Sequence, residues 1–318
     1  MTESTVPRVV TLGETMGLLI GPVPGSISHV GSLGIGIGGA ESNLAIGLSR
    51  LGHPVAWVGR VGEDSFGDRI VRELRAEGVQ LHVRRDPQAP TGLMLKEQRT
   101  RQQTNVWYYR AGSAGSGLEP ADLPLDVIAA AEVLHVTGIT PALSATAAAA
   151  VAQAVDAARS AGTLVSFDVN FRHRLWARAR AADALTPLVR AADVVFAGVG
   201  EAQLFVPDTE DLPTLLAGLH ALGPAEVVLK RGGQGSIGSC GDQVVEQKIV
   251  PVDVVDTVGA GDAFAAGYLA ARLDGLDLRA RMHRGALLGA WACTGRDDWQ
   301  ALPTARDLAS GLGDRVAR

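Results

Sequence analysis

Short apolar runs alternate with helical patterns along most of this chain. The runs are continuously apolar, which is typical of strands buried on both faces of a parallel sheet. They predict strands at 9–12, 55–58, 133–136, 163–167, 194–196 and 227–229. Helices are predicted at 42–51, 66–76, about 141–160 and about 259–273. The alternation predicts an α/β fold in which helices cover both faces of a mostly parallel sheet.

Two stretches, at about 15–33 and 83–111, do not follow this alternation of strands and helices. The first is rich in proline and glycine, and the second alternates around 105–110 (NVWYYR) without helical period. Such alternation is typical of antiparallel strands. We expect the two stretches to form a small β-sheet lid whose aromatic residues close over a ligand or pair with another subunit. The alternative is that these strands extend the main sheet.

Composition narrows the class of protein. The chain has 318 residues, 47% of them hydrophobic and 20% charged, as in ordinary globular proteins. Its net charge of −5 provides no basic field for nucleic acid or an anionic membrane. No apolar run reaches the roughly 18 residues of a membrane span. The N-terminal segment 1–8 is polar and lacks the apolar stretch of a signal peptide. We therefore expect a cytoplasmic protein. Cys240 and Cys293 are too few for a disulfide framework.

The most specific candidate motif for a functional site is 256–264 (DTVGAGDAF), which lies at the start of a predicted helix. Unpaired N–H groups at a glycine-rich helix start, together with the helix dipole, attract phosphate. The amides in question belong to Gly259, Ala260 and Gly261. Asp262 would repel a phosphate, so its presence favours a base that accepts a proton from a hydroxyl. The alternative is that Asp262 only caps the helix.

A second glycine-rich segment is 38–45 (GGAESNLA). Gly38 and Gly39 allow a ligand to approach the backbone, and the Asn43 amide can both donate to and accept from hydroxyls, which favours a substrate-binding role. A formal G-x-G-x-x-G pattern ending at Gly39 is weak evidence, because the expected strand before it is missing. The alternative is a glycine-rich connection with a capping asparagine.

Two more segments follow predicted strands, where open α/β sheets bind ligands. Lys230, Gly232 and Gly235 suit a nucleotide polyphosphate, although a glycine-rich hairpin turn is the alternative. Arg172 and Arg174 are able to clamp a phosphate or carboxylate, although solvated surface arginines are the alternative.

The two glycine motifs resemble the signatures of the ribokinase-like (PfkB) carbohydrate kinases. They occur in the expected order, about 220 residues apart, and the resemblance spans 13–299. It implies a ribokinase-like three-layer α/β/α kinase domain over 1–318, with a β lid. It also implies ATP and Mg²⁺ and transfer of a phosphoryl group to a sugar hydroxyl. Separately, because an exposed sheet edge favours pairing with another chain, we expect a homo-oligomer formed through the lid.

Three segments resemble the 2-keto-3-deoxygluconate kinases within this family: 108–114 (YYRAGSA), 138–143 (GITPAL) and 168–176 (DVNFRHRLW). The implied reaction phosphorylates the primary hydroxyl of 2-keto-3-deoxygluconate, giving 2-keto-3-deoxy-6-phosphogluconate. Two arginines suit such an acid sugar, because a carboxylate needs guanidinium partners and a neutral sugar does not. The alternatives are a kinase for another sugar or nucleoside, such as fructose or ribose, and a non-catalytic sugar or nucleotide sensor.

The resemblance also implies roles for individual residues. The implied catalytic set is Asp262 as the base, with Gly259, Ala260, Gly261 and Arg172. The implied substrate contacts are Gly38, Gly39, Asn43, Tyr108, Arg110, Ile139, Arg172 and Asp262. The implied nucleotide contacts are Lys230, Gly232, Gly235, Thr257, Gly259 and Gly261.

The sequence departs from the family pattern at two positions, one on the metal side and one where a possible hydroxyl contact is lost. Glu201 is implied to hold Mg²⁺ through water, but Gly198 stands where the family has its polar asparagine. Met94 stands where the family often has a tyrosine. A monovalent cation such as K⁺ is implied near Asp256 and Val258.

Overall fold

The computed structural model describes residues 6–100 and 103–310. Its strands are β1 (Val9–Leu12), β2 (Met16–Ile20), β3 (Gly34–Gly38), β4 (Val55–Gly62), β5 (Gln80–Asp86), β6 (Leu93–Thr100), β7 (Gln103–Tyr109), β8 (Val133–Thr137), β9 (Leu164–Asp168), β10 (Val194–Gly198), β11 (Glu226–Lys230), β12 (Ser236–Cys240) and β13 (Gln243–Gln247). Its helices are α1 (Ala40–Arg50), α2 (Ser65–Ala76), α3 (Leu125–Ala130), α4 (Thr140–Leu143), α5 (Ala145–Ala161), α6 (Arg178–Ala191), α7 (Val199–Ala202), α8 (Leu212–His220), α9 (Ala260–Leu273), α10 (Leu278–Ala292) and α11 (Ala305–Ser310).

A nine-stranded sheet forms the middle layer, in the order β13-β12-β11-β10-β9-β8-β1-β4-β5. The strands from β11 to β5 pair in parallel, and β12 and β13 add an antiparallel edge. One apolar cluster packs α1, α2, α9 and α10 on one face. A second cluster packs α3, α5, α6 and α8 on the other. The predicted three-layer α/β/α architecture with a mostly parallel sheet is confirmed.

A separate four-stranded sheet has the order β3-β2-β6-β7, and we call it the lid. It confirms the predicted small sheet, but its predicted limits were wrong at two places. Residues 83–86 belong to β5, which pairs with β4 at the edge of the main sheet. Conversely, β3 lies beyond 33, where three glycines alternate with Ile35 and Ile37. Glycine is depleted in strands, so this segment gives a weak strand signal. Residues 1–5 of the polar N-terminal segment, and 101–102 within the predicted lid, lie outside the described residues.

Several predicted boundaries shift by a few residues. The alanine-rich helix divides at Ser144, whose backbone is extended (φ −164°, ψ 168°) and whose hydroxyl accepts the Ala147 N–H. A serine in this conformation is a favourable N-cap, so α5 starts afresh after α4. Cys240 and Cys293 are both free thiols. Within 6–100 and 103–310, no helix is long and apolar enough to cross a membrane.

Helix α9 is anchored at the end remote from its glycine-rich start. The buried carboxylate of Glu226 accepts hydrogen bonds from the Tyr268 hydroxyl (2.6 Å) and from Arg281 Nη1 (2.8 Å), and it also pairs with Arg272. These contacts join β11, α9 and α10. A buried carboxylate with several donors is costly to disturb, so the network holds the first turn of α9 in a fixed relation to the sheet.

Candidate functional site

A cavity of about 1190 Å³ lies between the lid and the carboxyl ends of the central strands. A pocket for one drug-sized ligand usually measures about 300–1,000 Å³, so this one has room for two ligands side by side. The predicted site residues that line it are Gly39, Asn43, Tyr108, Arg110, Ile139, Arg172, Glu201, Lys230, Thr257, Gly259, Gly261 and Asp262. The lid adds, among others, Met94, Lys96, Val106 and Trp107.

Asp262 lies in the first turn of α9, and two amides hold its carboxylate. Asn43 Nδ2 donates to Oδ2 at 2.9 Å, and Asn170 Nδ2 donates to Oδ1 at 3.4 Å. Asn170 adopts a positive φ of +40°, which asparagine tolerates better than most residues. The N-cap of α9 is Gly259, without a side-chain cap. The alternative that Asp262 only caps the helix is therefore wrong.

The charge state of Asp262 suits a base near neutral pH. Burial raises the pKa of this carboxyl to about 6, although the Asn43 hydrogen bond and the positive charges of Arg172 and Lys230 lower it. Nearby Asp168 raises it further. A general base works best when its pKa lies near the working pH, so Asp262 is suited to accept a proton from a hydroxyl in the cavity.

The loop before α9 can hold an anion. Gly259 has φ +83°, and a Cβ there would lie 2.2 Å from the Asp298 carbonyl oxygen. Only glycine fits at this position. The Ala260 N–H donates to the Thr257 carbonyl at 3.3 Å, contrary to the prediction for Ala260, so Gly259 and Gly261, which line the cavity, are the residues left to offer N–H groups to an anion. The Lys230 ammonium lies 3.3 Å from where a Gly261 Cβ would be, and it donates to Asp168 Oδ2 at 2.6 Å. The Lys230 ammonium thus lies beside the first turn of α9, which carries Asp262.

Arg110 lines the cavity on the side of the lid, and its guanidinium forms an ion pair with Glu14. Its Nε and Nη2 lie 2.6 and 2.5 Å from Glu14 Oε2, and the Ser113 hydroxyl also donates to the Glu14 carboxylate. The guanidinium also lies 5.7 Å from the centre of the Tyr108 ring. Since a guanidinium has five N–H donors, Arg110 keeps three for a ligand while Glu14 fixes its orientation.

Arg172 is exposed to the cavity, and no ion pair joins it to a residue within the described ranges. Its charge lowers the pKa values of both Asp262 and Asp298. By contrast, Arg174 Nη1 donates to the Val106 carbonyl at 2.8 Å, which ties this segment to the lid. Arg172 is thus the guanidinium that remains available for an anionic ligand.

Glu41 was missed by the sequence analysis although it lines the cavity. Its Oε1 accepts hydrogen bonds from Thr137 Oγ1 (2.7 Å) and Thr140 Oγ1 (2.8 Å), and burial raises the pKa of its carboxyl to about 7. Thr137 Oγ1 also accepts the Ile139 N–H. Glu41 therefore fixes the turn that places Ile139 at the cavity wall.

The carboxylate of Glu201 joins two strand ends, because its oxygens accept the N–H groups of Gly198 (2.6 Å) and Phe171 (2.7 Å). The backbone of Gly198 thus supplies the polar partner that its side chain lacks. Asp168 keeps one buried oxygen without a hydrogen-bond partner. Magnesium prefers oxygen ligands and retains several waters, with one or two carboxylates and substrate phosphates. These two carboxylates fit the Mg²⁺ that the resemblance implies.

Four predicted residues lie outside the cavity wall: Gly38, Ala260, Gly232 and Gly235. Gly232 and Gly235 have φ of +54° and +86° and form the turn between β11 and β12. The hairpin alternative therefore describes this segment, and its contact with a nucleotide stays a prediction. Gly38 ends β3, where a Cβ would lie 2.3 Å from Met94 Cε. Ala260 begins α9.

Comparison with known proteins extends over almost the whole chain. The sequence model described as pfkB family carbohydrate kinase matches residues 6–305. A 2-dehydro-3-deoxygluconokinase of Bacillus subtilis is 38% identical over 308 residues, which are 95% of this chain and 94% of that protein. A 2-dehydro-3-deoxygalactonokinase of Haloferax volcanii is 36% identical, over 89% of this chain and 90% of its own.

A solved structure is similar over the same extent. The putative ribokinase II of E. coli, solved in complex with ATP and Mg²⁺, superposes with a TM-score of 0.89. It is 25% identical and covers 96% of this chain and 98% of its own. The fold therefore also occurs in a protein solved in complex with a nucleotide and a metal.

Proposed function

The chain belongs to the pfkB family of carbohydrate kinases, phosphotransferases acting on a sugar hydroxyl, and on that premise we propose that it phosphorylates 2-keto-3-deoxygluconate. The phosphoryl donor in this proposal is ATP, and the product is 2-keto-3-deoxy-6-phosphogluconate. The similarity to the B. subtilis 2-dehydro-3-deoxygluconokinase supports this substrate.

The observation that carries the proposal is the arrangement of charge around Asp262. A hydrogen-bonded carboxylate, an anion-binding helix start and an unpaired guanidinium face a single cavity. The Arg172 guanidinium, with the free N–H groups of Arg110, offers a carboxylate the bidentate partners it needs. A neutral sugar would offer these guanidinium N–H groups no carboxylate acceptor.

In the proposed reaction, Asp262 accepts the proton of the primary hydroxyl of the sugar. The resulting oxygen attacks the γ-phosphorus of ATP in line, the bond to the β,γ-bridging oxygen breaks, and ADP leaves. The N–H groups of Gly259 and Gly261 and the charge of Arg172 stabilise the transferring phosphoryl group. Mg²⁺, held through Glu201 and Asp168, would neutralise charge on the phosphate oxygens when bound.

The proposal is tested with a panel of acceptors and coupled detection of ADP. We expect 2-keto-3-deoxygluconate to give the highest kcat/KM, above fructose, ribose and a nucleoside. Its C4 epimer, 2-keto-3-deoxygalactonate, is the second candidate, because the H. volcanii relative is named for it. A neutral sugar with the highest kcat/KM would contradict the proposal.

Arg110→Ala tests the acid-sugar assignment directly. A hydrogen bond to a charged group is worth about 1.5–3 kcal/mol, so we expect kcat/KM for the acid sugar to fall by about tenfold to a hundredfold. A neutral sugar should lose much less. Because this change leaves Glu14 unpaired, Arg110→Lys serves as a second variant that keeps the charge and loses the planar fork. Equal losses for acid and neutral sugars would refute the carboxylate contact.

The pH dependence should follow Asp262. The base must be ionised, and burial raises its pKa to about 6, so kcat/KM should fall about tenfold per pH unit on the acid side of that value. The Asn43 hydrogen bond lowers this pKa. Asn43→Ala should therefore move the acid limb to higher pH. A profile without an acid limb between about pH 5 and 7 would contradict the role of Asp262.

We further propose that two copies of the chain associate through the lid. Trp107 and Tyr109 of β7 are exposed, and so is Ile35 of β3, the other edge strand of the lid. Exposed sheet edges with large apolar side chains favour pairing with another chain. The molar mass in solution, measured by light scattering, should exceed that of one chain.

A further inference from the structure

A buried ion cluster lies where the lid meets the glycine-rich segment. The Lys96 ammonium, from lid strand β6, lies 2.6 Å from Asp256 Oδ2 and 3.1 Å from Asp298 Oδ1. All three residues are at most 9% exposed. Burying three charges costs free energy. The reaction proposed above uses none of these residues, so it does not account for the cluster.

The two carboxylates frame the anion-binding turn from opposite sides. Asp256 begins the segment, and its Oδ1 accepts the Val258 N–H at 3.2 Å. The main-chain carbonyl of Asp298 packs against Gly259, where a Cβ would lie 2.2 Å from it. One ammonium thus holds together the two segments that shape the turn at Gly259.

We propose that the Lys96 ammonium is a built-in cation of this site, so that the anion-binding turn is ordered without the monovalent ion implied near Asp256 and Val258. The proposal rests on the proposed function only for its turnover measurements. Lys96 is a positioning residue here, because it contacts the segments on either side of the turn.

The contacts of Asp256 support this assignment. One of its oxygens accepts an N–H of its own loop and the other is held by Lys96. A metal ion bound to the same carboxylate would lie close to the ammonium, and two like charges in a buried place repel strongly.

Lys96 remains charged in this setting. Burial alone would lower the pKa of its ammonium, but the negative charges of Asp298 and Asp256 outweigh burial and raise it. The two ion pairs of Lys96 thus place at this point the positive charge that a bound cation would contribute. It comes from the lid, so the anion-binding turn and the lid are held by the same group.

The first experiment measures turnover by the wild-type protein in potassium chloride and in tetramethylammonium chloride at equal ionic strength. Tetramethylammonium is too large to enter a compact oxygen site. We expect kcat and both KM values to agree within about twofold, a difference too small to indicate a lost transition-state contact. An increase of about tenfold or more with K⁺ would overturn the proposal.

The second experiment removes the ammonium with Lys96→Ala, and Lys96→Arg serves as the charge-preserving comparison. We expect Lys96→Ala to lose at least about tenfold in kcat in tetramethylammonium, and NH₄⁺ or K⁺ to restore part of it. Lys96→Arg should remain independent of K⁺. Full activity of Lys96→Ala without added cation would overturn the proposal, and so would a loss that neither cation restores.

A third readout does not depend on catalysis. The thermal unfolding midpoint of Lys96→Ala should rise with K⁺ or NH₄⁺ relative to tetramethylammonium, because a ligand that binds the folded state stabilises it. The wild-type midpoint should not respond. If no acceptor gives ADP, the proposed function fails while this measurement still decides the role of Lys96. A wild-type unfolding midpoint that rises specifically with K⁺ would contradict the proposal that Lys96 replaces the monovalent ion.

Discussion

Asp262→Asn should lower kcat by about 10²–10⁴, the usual contribution of a general base. Asparagine has nearly the same shape as aspartate but cannot accept the hydroxyl proton. The cavity around it keeps its anion-binding turn and its guanidinium groups, so the KM values for ATP and sugar should change little. Steady-state kinetics with coupled detection of ADP measures both effects.

Asp277→Asn is the matched control for this carboxylate-to-amide change. Asp277 caps α10 by accepting the Ala280 N–H, and asparagine caps a helix about as well as aspartate. The control should keep wild-type kcat. If Asp262→Asn also kept it, Asp262 would not be the base. If kcat were kept and only KM rose, Asp262 would contribute to binding alone.

The sequence predicts the main sheet well because its strands are buried on both faces. β1 has the predicted limits of 9–12, and β8 exceeds its prediction by one residue. At the edges the signal weakens. β5 is mostly half-buried, so its alternating pattern resembled that of the lid. Three of the five residues of β3 are glycines, which are depleted in strands, so the strand is recognised from its antiparallel pairing with β2.

Part of the candidate site consists of residues close together in the sequence, and part consists of residues that only the fold brings together. Asp262 and Gly259 lie in one short motif, where the sequence alone predicts an anion-binding turn beside a base. The pair of Lys96 and Asp298 is separated by 202 positions and only the fold brings it together. The ion pair of Glu14 with Arg110 is similar, at a separation of 96. Contacts of this kind leave no periodic signal along the chain.

Gly259→Ala should lower kcat by about 10²–10³, comparable to the loss of an oxyanion-hole donor. The new Cβ would lie 2.2 Å from the Asp298 carbonyl oxygen, and φ is +83°. The turn must move to relieve this clash, which takes its N–H groups away from the transferring phosphoryl group. Because those groups stabilise charge that develops during transfer, kcat should fall more than binding weakens.

Gly275→Ala separates the clash from the cost of a positive φ. Gly275 has φ +75°, close to that of Gly259, but a Cβ there would meet nothing within 4 Å. In both variants a left-handed alanine should lower the free energy of unfolding by about 1–2 kcal/mol, and the clash with Asp298 should lower it further in Gly259→Ala. Only Gly259→Ala should lose turnover. Equal kcat in the two variants would mean that the amides after Gly259 do not hold the phosphoryl group, and that the loop serves packing against Asp298 alone.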